Sequence, residues 1–199
     1  MLHETTIQPP ETSFEDELRE LMTRMRSEVT PEQRARLMSQ AGDLCFEVGE
    51  RERALLWFDA CIDLYLSLGR FAASAAICEK LVRMNPQVIR ARCTLAWLAI
   101  ARGLDDEARR RVEEYGNASL RLERPTVAQR QLRAMAEETD SATVLEAIGY
   151  ALLNLGDAAS ADRVLAMVES PTTRSMHTYN STEERDHAII GRLTTAWWG

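Results

Sequence analysis

Apolar residues recur along most of this chain at spacings of three and four, and glycine or proline interrupts them where each run ends. Phe14, Leu18, Leu21, Met22 and Met25 form the first stripe, and Ser13 in front of them predicts an N-cap. Thr30-Pro31-Glu32-Gln33 predicts a stronger start. The threonine oxygen can accept from an orphan amide, proline fits the first helical position, and the glutamine can complete a capping box. From there the pattern predicts helices to Val48, from Glu50 to Leu68, from Phe71 to Met84, from Val88 to Arg102 and from Asp105 to about Tyr115. Gly49, Gly69 and Gly103 stand where one helix turns sharply into the next, a position that often needs positive φ. Asn85-Pro86 ends the fourth helix, because proline disfavours the helical conformation of the residue before it.

Residues 117 to 124 read as a polar join. Pro125 then opens a helix to about Glu138, Asp140 or Ser141 caps the next to Leu155, and another runs from Ala158 to about Glu169. Ser181, with Glu184 completing a capping box, begins a last amphipathic helix through Ile189, Ile190, Leu193 and Trp197. No sustained two-residue alternation bounded by turns is present. The expected fold is therefore all-α, with nine or ten helices. Its expected organisation is a disordered lead (1–12), a helical body (13–170), a linker (171–180) and a C-terminal helix or tail (181–199).

Gly69 and Gly103 lie 34 residues apart, the length of a helix–turn–helix repeat. Gly69-Arg70-Phe71, followed by Ala75, Ile77, Cys78, Leu81 and Asn85-Pro86, with Tyr65 in the helix before, resembles the tetratricopeptide repeat family. Leu95-Ala96, Gly103 and Ala108 repeat that frame, Ile148-Gly149, Gly156 and Ala161 repeat it again, and Gly42, Gly49, Ala54 and Phe58 make a further, overlapping match. The resemblance covers about residues 31 to 170 and implies a right-handed α-α superhelix. Its recurring small residues have a physical role: where helices cross closely, only glycine, alanine or serine lets the backbones approach. Two spacings depart from the period. Gly49 to Gly69 is 20 residues, and Gly103 to Gly156 is 53, which implies an extra or irregular helix around Pro125 to Glu138.

In such an array the first helices of successive repeats line a concave groove. The family's groove-facing positions, carried over in the Gly69 frame, are Leu56, Asp59, Asp63 and Leu66. The Gly103 frame gives Arg90, Cys93, Trp97 and Ile100, and the Gly156 frame gives Thr143, Glu146, Tyr150 and Leu153. Asp59, Asp63, Leu66, Arg90, Trp97, Ile100 and Tyr150 are the groove residues expected to meet a partner. Trp97 has two readings, as an anchor for a partner side chain and as a core residue packed on a neighbouring helix. Asp59 and Asp63 would repel a terminal carboxylate, which argues against a chaperone carboxylate clamp. A second candidate is the tail, where Ile189, Ile190, Leu193, Trp197 and Trp198 could cap the solenoid, enter a partner's groove or rest at a membrane interface.

Charge and chemistry narrow the function further. The net charge is −7, and Arg109-Arg110-Arg111 is hemmed by Asp105, Asp106, Glu107, Glu113 and Glu114, so a solvated helix face explains that run better than a nucleic-acid patch. The amino terminus, Met1 to Glu11, carries acids and Pro9-Pro10 where a signal peptide would need a basic start and an apolar core. The most apolar stretch, Ala96 to Ala101, falls far short of the roughly 20 residues that span a bilayer. Cys45, Cys61, Cys78 and Cys93 fall one per predicted helix without a CxxC pair, as small core residues in a reducing cytosol would. His3, His177 and His187 all lie in the tails, and no catalytic motif accompanies them. The expectation is a cytoplasmic, non-catalytic adaptor without cofactor or metal, binding a protein or peptide partner. The alternative is a permanent structural subunit of a larger assembly, peripheral to a membrane complex.

Overall fold

The structure is a computed structural model that describes residues 13–27 and 29–169. Those residues form α-helices joined by short turns, with no strand among them: α1 (Phe14–Arg26), α2 (Pro31–Glu47), α3 (Arg51–Ser67), α4 (Phe71–Met84), α5 (Ile89–Ala101), α6 (Asp105–Arg121), α7 (Pro125–Glu137), α8 (Ala142–Asn154) and α9 (Ala158–Glu169). The chain divides into two compact units, 1–64 and 65–199, the division falling within α3.

In the first unit the local start signals form as the residues require. The Ser13 side chain accepts from the Asp16 amide at 3.3 Å. At α2 the capping box is complete: the Gln33 amide donates to Thr30 Oγ1 at 3.2 Å, and the Thr30 amide donates to Gln33 Oε1 at 2.8 Å. α1 buries Leu18 and Met25 and packs on α2, which buries Ala35, Leu37, Ala41 and Cys45. α2 and α3 approach closely at Gly42, where an added Cβ would lie 2.9 Å from the Phe58 ring. The Cys61 thiol on α3 donates to the Ala35 carbonyl at 3.2 Å, so this cysteine joins the two helices as a core residue.

The second unit is built around α5, buried on every side from Cys93 to Ile100. A helix apolar all round is one that neighbours enclose, and here α4, α6 and α7 do so. Gly103 reverses the chain after α5 at φ +64, its amide donating to Ile100 O and the Leu104 amide to Ala99 O. That pair of bonds closes the open carbonyls of a helix end, and glycine takes the left-handed conformation without a Cβ clash. α8 packs on α6 and α9, while α7 packs on α5, α6 and α8, so the 53-residue spacing between Gly103 and Gly156 contains one helix more than the pairs α5–α6 and α8–α9 require.

One boundary differs from the sequence reading. α6 does not stop near Tyr115 but runs through most of the expected join to Arg121. Gly116 and Asn117 weaken a helix locally, but Gly116 lets α8 approach, an added Cβ there meeting the Ala151 Cβ at 3.0 Å, and Ala118 and Ser119 are buried. Tertiary packing outweighs propensity. Past the end of the helix the chain turns at Glu123, which adopts φ 53 and makes with Arg124 the same two closing bonds, to Leu120 O and Ser119 O, that a glycine and its successor make at Gly103.

Candidate functional site

α8 is buried on one side and exposed on the other. Its inward positions, Val144, Leu145, Ala147, Ile148, Gly149, Ala151 and Leu152, are buried against its neighbours. The remaining face carries Thr143, Glu146, Tyr150 and Leu153 at spacings of three, four and three, all exposed. Tyr150 is 60% exposed and Leu153 40%, an aromatic and an aliphatic side chain one turn apart. These are the four positions that the Gly156 frame places toward a groove. A tyrosine exposed to this degree offers a rigid apolar ring with a polar tip, the side chain most often found anchoring an interface.

The other candidate positions are placed differently. Trp97 is 1% exposed, and its Nε1 donates to Gln131 Oε1 of α7 at 3.0 Å. The physical reason is the additional helix: α7 supplies a buried polar partner for the indole, 34 residues further along the chain, and Trp97 is a core side chain instead of a groove anchor. Ile100, Leu66 and Cys93 are buried as well, and none of them faces an open groove. Arg90 in the second unit, and Asp59 and Asp63 in the first, are half-buried. Leu56, in the first unit, is 71% exposed. Ile189, Ile190, Leu193, Trp197 and Trp198 lie outside the described residues.

Two features escaped the sequence reading. The arginine run is not one solvated face. Arg109 and Arg110 pair along α6 with Glu113 and Glu114, but Arg111 is buried and reaches Glu79 on α4 at 2.7 Å, with Glu107 and Glu114 also close. Only the fold brings Glu79 within reach. The second feature is an open cleft of about 340 Å³ between α1 and α2, floored by Leu21 and Leu44 and rimmed by Glu17, Glu20, Asp43 and Glu47. Arg24 is the only base among the described residues that line it. The sequence signal was present in the helical spacing of these acids, but each reads as surface until the two helices are paired.

No group of three or more His, Cys, Asp or Glu among the described residues could hold a metal ion. The four cysteines are buried, and none of them is in a disulfide. Burial pushes the Cys93 thiol up to about 12, and it raises the neighbouring Tyr115 hydroxyl as well. That hydroxyl lies beside Cys93 and Ser119 but makes no hydrogen bond of ordinary geometry. Both side chains are fully buried. No described helix is long and apolar enough to cross a membrane.

Comparison with known proteins agrees at one place. The family model described as tetratricopeptide repeat matches residues 63–88, which span the end of α3, the Gly69 turn, α4 and the closing Asn85-Pro86. Comparison with the curated proteins and with the solved structures returns no match. The fold is thus an all-α, repeat-like packing of helices with one recognisable tetratricopeptide segment.

Proposed function

We propose that this chain is a non-catalytic scaffold or adaptor of tetratricopeptide type, a right-handed α-α superhelix over residues 13–170 that holds a segment of a protein partner against the outward face of α8. The observation that carries the reading is the exposed row Thr143, Glu146, Tyr150 and Leu153, with Tyr150 60% exposed and Leu153 40%. A helical repeat has a constant core and a variable surface, so its function resides in such faces and not in a buried pocket.

Covering what Tyr150 and Leu153 leave exposed is worth roughly 1–2 kcal/mol. Loss of the pair therefore weakens a partner by about tenfold. The test isolates partners on the tagged full chain from its own cells, with the parent and with Tyr150→Ala/Leu153→Asp, and reads stoichiometry by mass spectrometry. Partners that depend on the two side chains and come down below one per chain support an adaptor. Recovery unaffected by the double substitution removes the α8 face from the account. A single partner set held at fixed ratio through both proteins assigns the chain to a permanent assembly, the alternative reading.

A further inference from the structure

The cleft between α1 and α2 is built from two matching stripes. Glu17, Glu20, Leu21 and Arg24 stand at spacings of three, one and three on α1. Gln40, Asp43, Leu44 and Glu47 repeat those spacings on α2. Each stripe lines the cleft over two helical turns, about 10 Å. α1 and α2 pack on each other across a four-residue join, 27–30, as an antiparallel hairpin does. That pairing sets Glu17 with Glu47 at the end away from the join, Glu20 and Leu21 with Asp43 and Leu44 at the centre, and Arg24 with Gln40 nearest the join. The start of α1 is held on α3, where the Arg53 guanidinium donates to Glu15 at 3.0 Å and lies 5.5 Å from the centre of the Phe14 ring.

Floor and rim select different parts of one ligand. Leu21 and Leu44 are half-buried and suit an alkyl side chain laid across them. The acids come from both walls, and a cleft lined by one sign of charge draws counter-ions into it. No three of these acids stand close enough to hold a metal ion, so an extended cation suits them and a compact one does not. The volume, about 340 Å³, takes a few side chains and not a folded domain.

We propose that this cleft docks a peptide segment of a partner protein, with an apolar side chain on Leu21 and Leu44 and flanking lysine or arginine heads reaching the acids of both walls. The surface belongs to the first unit and stands apart from the α8 face and from the adaptor reading built on it.

The test titrates the full chain, labelled with 13C at its leucine methyls, with the acetylated and amidated peptide Lys-Leu-Arg-Leu-Lys. Leu21→Met, Leu44→Met and Leu153→Met assign the three signals that matter. Glu17 and Asp43 are engaged in interactions of their own, so the rim is altered at the exposed Glu20 and Glu47. The expected result is a saturable shift of the Leu21 and Leu44 methyls with Leu153 unmoved, at an affinity that falls as salt is raised. In Glu20→Gln/Glu47→Gln the affinity drops by roughly 2- to 30-fold, while the remaining leucine signals keep their parent positions as the check that the fold is intact. The peptide Glu-Leu-Glu-Leu-Glu leaves Leu21 and Leu44 in place. No saturable shift at those two leucines, or an affinity unchanged in the double variant, overturns the proposal. Spermidine binding as tightly as the peptide also overturns it, because the cleft then takes a free polycation and not a peptide. None of these results depends on the α8 face, so they leave the adaptor reading to its own test.

Discussion

Replacing Trp97 distinguishes a core side chain from a binding anchor more sharply than any other substitution. The indole is 1% exposed and donates to Gln131 Oε1 at 3.0 Å, and Gln131 is itself 1% exposed. Trp97→Ala removes a fully buried aromatic, leaves a cavity and removes the indole N–H that donates to Gln131 Oε1. Substitutions of this kind cost about 3–5 kcal/mol, whereas an exposed anchor costs the free protein within about 0.5 kcal/mol. For a chain of 199 residues each kcal/mol moves the midpoint by roughly 2–4 °C, so a fall of about 6–20 °C is expected. Trp97→Phe keeps most of the apolar volume but leaves the Gln131 acceptor without the indole, at about 1–3 kcal/mol. The assay is thermal unfolding of the full chain followed by far-UV circular dichroism. A Trp97→Ala midpoint within about 2 °C of the parent would refute the core assignment.

Other substitutions test the packing and the turns. Gly42→Ala gains about 1 kcal/mol of helix propensity, but its Cβ would meet three Phe58 ring atoms at 2.9, 2.9 and 3.0 Å, and that ring is fully buried. Overpacking of about 1–3 kcal/mol wins, so calorimetry should show net destabilisation; Gly116→Ala, which meets only the Ala151 Cβ under 3.4 Å, should be milder. Glu123→Gly, at φ 53, should raise stability by about 0.5–1 kcal/mol in a denaturant titration, because a side chain in the left-handed region is strained and glycine is not. At Asp157, burial raises the carboxyl pKa, but hydrogen bonds from the Ser160 side chain and amide and the Arg133 guanidinium together hold it below the ordinary value. Its folded pKa is depressed, so its contribution is present above the unfolded value of about 3.9 and is lost as the pH falls through the lower folded one. Asp157→Asn should therefore lower stability at neutral pH and shrink the difference from the parent in acid, as read from midpoints across that range.

Local chemistry was legible in the sequence where it acts locally. The Ser13 cap, the Thr30–Gln33 box, the turn at Gly103 and the stop at Asn85-Pro86 each depend on residues within a few positions, and each appears where the pattern places it. The extra helix at Pro125–Glu137 was legible from spacing alone. What failed depends on partners remote in the chain. The persistence of α6 past Gly116 needs Ala151, the burial of Arg111 needs Glu79, and the burial of Trp97 needs Gln131. On α8 helical spacing carries direction as well as position, so Thr143, Glu146, Tyr150 and Leu153 share one exposed face whatever surrounds them. Which residues of α5 would be open could not be read the same way, since the covering helix lies outside the repeat period.

The measurement that tests the central claim most directly is a hydroxyl-radical footprint of the full chain alone and saturated with a purified partner. Protection gained at Tyr150 and Leu153, with the exposed Leu56 of the first unit unchanged, is the result this account predicts. Protection confined to the cleft between α1 and α2, or to Leu56, with Tyr150 and Leu153 as reactive as before, would contradict it.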